Sequence, residues 1–228
     1  MPEVDLLVLA SSRKHGGRCV AGWDLTNERW LRPVSPRDDG TLELGHCAVD
    51  GDWPEVFDVV RLEIGAHRPS PYQPENYLIA GRPWQRLRRE APEDVVETLD
   101  DLLEPGHWLL RSGDRRVQAA ALRANPAVSS LVVVEPSSLS WRVETAPWGE
   151  RQRKADFRLD DGGWYDWPVT DIAVYEELRQ LEDGGYPRDQ VGIGDDSGVF
   201  LTISLGEPYE GNDACYKLVA AVLEVPSP

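Results

Sequence analysis

Apolar and polar residues alternate along much of the chain with a period of two, which is typical of β-strands that bury one face. The clearest stretch is FDVVRLEI at 57–64, in which Arg61 and Glu63 stand between apolar neighbours. The pattern predicts strands in the first part of the chain at 4–10, 19–25, 30–34, 41–44 and 57–64. Short strands at this spacing, joined by tight turns, indicate a small β-barrel or sandwich at 1–68.

The middle of the chain, at 69–128, is predicted to be a proline-rich connector that contains one helix. Four prolines between residues 69 and 83 interrupt regular structure, because proline cannot donate a backbone hydrogen bond. The helix is expected at 92–105, where Pro92 suits the first turn and apolar residues recur at helical spacing. Pro105 and Gly106 are expected to end it.

Strand patterns return at 129–228, with one helix among them. The predicted strands are 131–135, 139–144, 154–159, 164–167, 199–205 and 216–225. The sequence Asp-Asp-Gly-Gly at 160–163 predicts a hairpin, and Thr170 or Asp171 is suited to cap a helix. A helix inserted late among barrel strands is compatible with an OB-type barrel.

The chain of 228 residues is strongly acidic, with a formal net charge of -16 and a pI near 4.6. Broad, nonspecific binding to nucleic acid needs basic surface, so any polyanion would have to use a local patch. The chain has no apolar run long enough for a transmembrane helix and no basic segment typical of a signal peptide. We therefore expect no membrane association and a cytoplasmic location.

A basic segment interrupts this acidity at 11–35, SSRKHGGRCVAGWDLTNERWLRPVS. Its only acids are Asp24 and Glu28. Its basic side chains are Arg13, Lys14, His15, Arg18, Arg29 and Arg32. Two adjacent glycines follow the first three of these residues, and glycine lets a ligand or another backbone come close. The segment is a candidate anion site.

Several stretches together resemble the bacterial dual OB-containing domain family. They are SSRKHGGRCVAGWDL, RWLRPVS, QPEN, LTISLGEPYEG and CYKLVAAVL, and they span nearly the whole chain. The resemblance implies a mainly β fold with minor α, in which two OB-like barrels are joined by the proline-rich and helical connector. It also implies a role related to ligands or nucleic acids, and it assigns no catalytic residue.

Seven polar residues in these stretches are candidates for ligand binding, and we expect all of them except Arg32 to converge on one cleft. They are Lys14, His15, Arg18, Arg32, Glu75, Asn76 and Lys217. The cations would donate to phosphate or carboxylate, while Glu75 and Asn76 have the acceptors and donors that read a base or ribose. Each has a structural alternative: a solvated turn for the basic residues, an ion pair for Arg32, a local turn for the QPEN pair and solvent exposure for Lys217.

No familiar catalytic motif is present, and three hypotheses for function stay open. The sequence lacks GxSxG, HExxH and a P-loop, and its three cysteines have no spacing suited to zinc. We expect no metal and no cofactor, and His15 with Cys19 or Cys215 is the only catalytic pair worth testing. The favoured hypothesis is a non-enzymatic module that binds single-stranded nucleic acid or a nucleotide-like anion. The alternatives are an acidic protein-interaction subunit with a protein partner, and an enzyme that processes a phosphate ester or nucleotide.

Overall fold

The computed structural model of the protein describes residues 1–104, 106 and 108–227. The strands of the first half are β1 (Glu3–Lys14), β2 (Gly17–Asp24), β3 (Arg29–Val34), β4 (Asp58–His67), β5 (Asn76–Ile79) and β6 (Gln85–Arg89). They form one sheet with the order β1-β2-β3-β5-β4-β6, and β1 also pairs with β4. This extra pairing closes the first five strands into a ring. Strands β3 and β5 run parallel, whereas the other pairs are antiparallel.

This ring is a five-stranded Greek-key barrel, which is the architecture of an OB fold. The prediction of a strand at 41–44 was wrong. Leu42 makes only a single bridge to Arg18, and residues Leu44–Cys47 form a short helical turn, α1. The ring nitrogen Nδ1 of His46 accepts a hydrogen bond of 3.0 Å from the backbone N–H of Glu43, which favours the turn over an extended chain.

The first sheet extends beyond residue 68, because β5 and β6 both pair with β4. The predicted helix follows as a 3-10 turn at Pro92–Val95 and helix α2 at Val96–Asp101. The described helix is therefore shorter than predicted, and Pro105 lies outside the described residues. The division of the chain into 1–68, 69–128 and 129–228 stays a prediction about independent folding units.

The remaining strands form two four-stranded sheets. The strands are β7 (Arg116–Gln118), β8 (Leu131–Val134), β9 (Ser138–Thr145), β10 (Arg151–Arg158), β11 (Trp164–Pro168), β12 (Gly184–Pro187), β13 (Ser197–Tyr209) and β14 (Ala214–Pro226). The helices are α3 (Ala119–Ala124) and α4 (Ile172–Arg179). The sheet orders are β11-β10-β9-β12 and β7-β14-β13-β8.

The second half repeats the order of the first barrel. Strands β9, β10 and β11 form a meander, α4 follows, and β13 and β14 form a hairpin. A parallel bridge between Val169 and Val219 joins the end of β11 to β14, as the parallel pair β3–β5 does in the first barrel. The predicted hairpin at 160–163 is confirmed, and Asp171 caps α4 by accepting a 3.0 Å hydrogen bond from the backbone N–H of Val174. The fold is mainly β, with two OB-like barrels and minor α.

Three apolar clusters hold the barrels together. One fills the first barrel, one fills the second, and the third lies between them. The third cluster packs Leu9 of β1 against Leu131, Phe200 and Ala221 of the second half. Because the barrels share this buried core, their rims are held side by side, and the polar residues at the rim form a common surface.

Candidate ligand-binding groove

The basic segment forms the tip of the β1–β2 hairpin. Lys14 pairs with Gly17, and the two residues between them, His15 and Gly16, have φ values of 43° and 84°. Positive φ at both positions is the signature of a type I′ turn, which matches the twist of the flanking strands. A Cβ on Gly17 would lie 2.2 Å from the carbonyl oxygen of Leu42, so only glycine fits there.

The hairpin tip reaches the second barrel. The backbone N–H of Arg13 donates to the carbonyl of Thr170 at 2.8 Å, and Lys14 Nζ lies 3.0 Å from Glu207 Oε1 of β13. These contacts anchor the tip to the second barrel at two points. The side chains of 13–15 are therefore presented at the seam of the two barrels.

A cleft of about 1010 Å³ opens at this seam. The first barrel lines it with Lys14, His15 and Arg32, and the second lines it with the segment 206–211 and with Tyr216. Tyr209 and Tyr216 form an edge-to-face pair with ring centroids 6.4 Å apart, a favourable arrangement for two aromatic rings. The cleft therefore has cations on one wall and tyrosines on the other.

Two further clefts adjoin the first, and all three are lined by Arg13. One, of about 910 Å³, lies on the second barrel between the β9–β10 loop and Tyr209 at the end of β13. The other, of about 510 Å³, surrounds the hairpin tip at Arg18 and Trp53. We call the three together the groove. The loops between strands 1 and 2 and between strands 4 and 5 carry ligands in OB folds, and the groove uses these loops of the second barrel.

The groove is cationic within an acidic protein. Its cations are Arg13, Lys14, Arg18, Arg32, Arg115, Arg151, Arg153 and Lys154. Its carboxylates are Asp39, Glu144, Glu150, Glu207 and Glu210. These eight cations and five carboxylates give the groove a formal charge of +3, whereas the whole chain carries -16. An anion is therefore attracted to the groove rather than to the surrounding surface.

Arg18 is held in place without an ion pair. Its Nη1 donates to Ser11 Oγ at 3.2 Å, and its guanidinium lies 4.7 Å from the centre of the Trp53 ring. Burial lowers the pKa of the Arg18 guanidinium, and nearby acids, Asp52 first among them, oppose that shift. No carboxylate of the described residues lies within ion-pair distance of this side chain. Arg18 is thus positioned with its charge uncompensated at short range.

Arg32 belongs to a buried network behind the main cleft. Its side chain is 1% exposed, and its Nη2 lies 3.2 Å from Glu75 Oε1. The same nitrogen donates to Ser130 Oγ at 2.8 Å and to Ser204 Oγ at 3.1 Å. Arg32 Nε has no hydrogen-bond partner in the described part of the chain. Arg32 belongs to β3 of the first barrel and the two serines belong to the second half, so this network joins the barrels. The side chain of Arg32 also lines the main cleft.

The QPEN segment supports the same junction from behind. Glu75 accepts hydrogen bonds from the hydroxyl and the backbone N–H of Ser130, the latter at 3.2 Å. Asn76 donates to Gln73 Oε1 at 3.2 Å, and Gln73 donates to the carbonyl of Leu205 at 3.1 Å. Gln73 lines the main cleft, but neither Glu75 nor Asn76 lines any of the three clefts. Their buried contacts favour a positioning role.

Lys217 is not brought to the groove. It is fully buried on the opposite face of β14 from Tyr216 and Leu218, which do line the groove. Its ammonium donates to the carbonyl and hydroxyl of Ser112 and lies 5.3 Å from the centre of the Trp167 ring. Burial lowers the pKa of Lys217 to about 8, with Asp114 opposing the shift. The predicted convergence on one cleft therefore does not extend to Lys217, and the alternative of solvent exposure does not hold for it either.

The two cysteines that the sequence analysis paired with His15 lie in different places. His15 and Cys19 both line the main cleft, whereas Cys215 is fully buried. Burial raises the pKa of the Cys215 thiol to about 11, so it stays protonated near neutral pH. Among the described residues, no three His, Cys, Asp or Glu side chains are grouped closely enough to hold a metal ion. In the described chain, no helix has the length and apolarity needed to cross a membrane.

The sequence alone did not reveal four groove residues, namely Tyr175, Tyr209, Tyr216 and Arg153. Tyr209 lies in GEPYEG and Tyr216 lies in CYKLVAAVL, two stretches that carry the family resemblance, and these motifs were the available signal. Tyr175 lies on a helix and Arg153 on a strand, and the side of each element that faces the groove depends on how the barrels meet.

The closed five-stranded ring, its repeat in the second half and the shared groove define a protein with two OB folds. The chain belongs to the dual OB-containing domain family, whose model matches residues 4–222. The resemblance in the sequence is thereby confirmed over nearly the whole chain. A search of curated proteins found no match to this chain.

Proposed function

We propose that this protein binds short single-stranded nucleic acids, or nucleotides, in the groove between its two OB barrels. The observation that carries the proposal is a groove with a formal charge of +3 and two adjacent tyrosines in a chain of -16. Single-strand binders on OB folds combine a cationic path for the backbone with aromatic rings for the bases. The groove has both components.

The tyrosines are suited to stacking. Tyr209 is 63% exposed at the end of β13, and Tyr216 stands beside it with its ring under the guanidinium of Arg115. Base stacking on an aromatic side chain contributes about 1–3 kcal/mol per base and tolerates any sequence. These rings therefore favour an unpaired base over a paired one, whose faces are already stacked.

The charge distribution favours short ligands. The groove attracts phosphate, but the acidic surface beyond it repels the rest of a long polyanion. We therefore expect an oligonucleotide of roughly ten nucleotides, within the usual site sizes of OB folds, to bind better than a long duplex.

Fluorescence anisotropy with labelled oligothymidylate and oligouridylate tests the proposal. If about three phosphates are contacted, raising the salt from about 50 mM to about 200 mM should weaken binding about 20-fold. Tyr209→Ala should lose about 1–3 kcal/mol, a decrease in affinity of about fivefold to 150-fold. Trp164→Ala is the matched control, because Trp164 is an exposed aromatic residue of the second barrel that lines none of the three clefts.

Two results would contradict the proposal. One is the absence of binding to any oligonucleotide or nucleotide at low salt. The other is equal loss of binding in the Tyr209 and Trp164 variants. Either result would favour the alternatives, which are a protein partner for the acidic surface or turnover of a phosphate ester.

A further inference from the structure

We propose that Arg13 and Arg153 form a phosphate-binding site over the ring of Tyr175, at the point where the three clefts of the groove meet. This inference rests on the proposed function for the identity of the ligand and goes beyond it in naming the anchoring residues. Arg13 belongs to the basic segment that the sequence marked as a candidate anion site, whereas the sequence pattern did not single out Arg153 or Tyr175 as ligand-binding residues.

Two guanidinium groups converge on one aromatic ring. The central carbon of Arg13 lies 3.7 Å from the centre of the Tyr175 ring, and that of Arg153 lies 4.5 Å from it. Arg13 comes from β1 of the first barrel, whereas Arg153 and Tyr175 come from β10 and α4 of the second. Since both guanidiniums lie within 4.5 Å of the same ring centre, they are at most about 8 Å apart, and an anion bound near both would offset their mutual repulsion. The ring's π-face offsets part of that repulsion but carries no net charge.

In the part of the chain that the structure describes, no carboxylate lies close enough to form an ion pair with either arginine, although the chain contains 40 acids. The carboxylates of the adjoining cleft have other partners: Glu144 Oε1 lies 2.6 Å from Lys154 Nζ, and Glu150 accepts a 3.0 Å hydrogen bond from Trp148. The site therefore keeps a local excess of positive charge.

Arginine side chains at the site also have nitrogen donors without a hydrogen-bond partner among the described residues. Arg153 Nη1 donates to the Tyr175 hydroxyl at 3.0 Å and to the carbonyl of Arg151 at 3.1 Å, which fixes the guanidinium in position. Its Nε is buried and has no hydrogen-bond partner in the described chain. The same holds for Nε of Arg115, which lines the same cleft with its guanidinium over Tyr216. Because these Nε atoms are buried, an anion in the groove would be contacted by the outer nitrogens of the guanidiniums.

Phosphate fits this arrangement better than carboxylate does. A terminal phosphate presents three non-bridging acceptor oxygens, whereas a carboxylate presents two, so a terminal phosphate is better suited to contact by two planar guanidiniums at once. The site adjoins Tyr216 and Tyr209, so a nucleotide anchored there would have its base beside the tyrosine pair. Since the two arginines belong to different barrels, phosphate binding would also hold the barrels together.

Calorimetry with three small probes tests the site: inorganic pyrophosphate, thymidine 5′-monophosphate and thymidine, which lacks the phosphate. The wild type should bind the monophosphate at least about tenfold more tightly than thymidine. Arg13→Gln/Arg153→Gln should abolish that preference and lose pyrophosphate binding. Arg158→Gln is the matched control, because Arg158 is an exposed arginine of the same strand that lines none of the three clefts.

The outcomes distinguish the site from the proposed function. Oligothymidylate binding that the double variant leaves unchanged would overturn the site while the function stands. Pyrophosphate binding that depends on both arginines, without any binding of oligonucleotides or nucleotides, would support the site and contradict the function. If the double variant unfolds, the single variant Arg13→Gln tests the site instead. Arg13 is exposed and its side chain makes no hydrogen bond with the described residues, so this variant should fold. An unchanged preference of Arg13→Gln for the monophosphate over thymidine would overturn the site.

Discussion

Lys14 Nζ lies 3.0 Å from Glu207 Oε1, which joins the tip of the first barrel's hairpin to β13 of the second barrel across 193 positions of sequence. Both side chains line the main cleft. The pair therefore bridges the barrels, and Glu207 weakens the attraction of Lys14 for an anionic ligand in the cleft.

Substitutions of the two partners should have opposite effects on anion binding. Lys14→Ala removes a cation and should weaken oligothymidylate binding about tenfold or more at low salt. Glu207→Gln frees that cation and should strengthen binding, with the gain disappearing at high salt. Anisotropy titrations at two salt concentrations measure both effects. A decrease in affinity for both variants would mean that the ion pair matters for structure rather than for charge.

Neither of these variants should change stability greatly. The Lys14 and Glu207 side chains are 15% and 32% exposed, and partly exposed pairs typically contribute about 0–1 kcal/mol. Urea denaturation of both variants should give midpoints close to that of the wild type. A large loss of stability would contradict this prediction.

The buried pair of Arg32 and Glu75 should behave differently. Glu75→Gln leaves the guanidinium of Arg32 buried without its counter-charge, which should reduce the free energy of unfolding by about 3–5 kcal/mol. Replacing both residues, as in Arg32→Met/Glu75→Met, should cost less than either single change, because no buried charge is left unpaired. Guanidinium chloride denaturation of Arg32→Met, Glu75→Met and the double variant measures this difference. Additive losses in the double variant would refute the coupling.

Stability should also depend on pH through Lys217. Burial lowers its pKa in the folded state to about 8, whereas an unfolded lysine titrates near 10.4. Below pH 8 both states are protonated and the cost of burying the charge is present in full. Between these two values the unfolded state binds more protons, so the free energy of unfolding should rise with pH.

Lys217→Met isolates this contribution from the tyrosines and cysteines that titrate in the same range. Urea denaturation of the wild type and the variant should be compared at about pH 7, 8, 9 and 10. The wild type should gain stability relative to Lys217→Met as the pH rises. Parallel pH profiles would exclude Lys217 as the cause.

Gly17→Ala should disturb the hairpin tip. Its new Cβ would lie 2.2 Å from the carbonyl oxygen of Leu42, so the backbone must shift, at a cost of about 1–3 kcal/mol. Since the tip carries Lys14 and Arg13, anion affinity should fall as well. Gly185→Ala is the control, because a Cβ there meets no atom within 4 Å. Thermal denaturation and anisotropy measure the two effects, and equal melting temperatures for the two variants would contradict the explanation.

The sequence by itself determined the local features of this protein. Alternation along β4, the hairpin residues at 160–163 and the capping Asp171 predicted strands, a turn and a helix, because these signals act between near neighbours in the chain. The density of cations at 13–18 likewise predicted a basic turn, and the structure places that turn at the seam of the barrels. The prediction of a strand at 41–44 was wrong because Leu42 makes only a single bridge and a helical turn begins at Leu44.

Only the tertiary structure decided which side chains share the groove. Alternation predicts two faces for β14, but the packing of β14 in the second barrel decides that Tyr216 faces the groove and Lys217 faces the core. Arg13 and Arg153 meet over Tyr175 because the two barrels bury a common apolar cluster, and that cluster sets the position of one rim against the other. Contacts between residues more than a hundred positions apart depend on this packing, which no local pattern in the chain encodes.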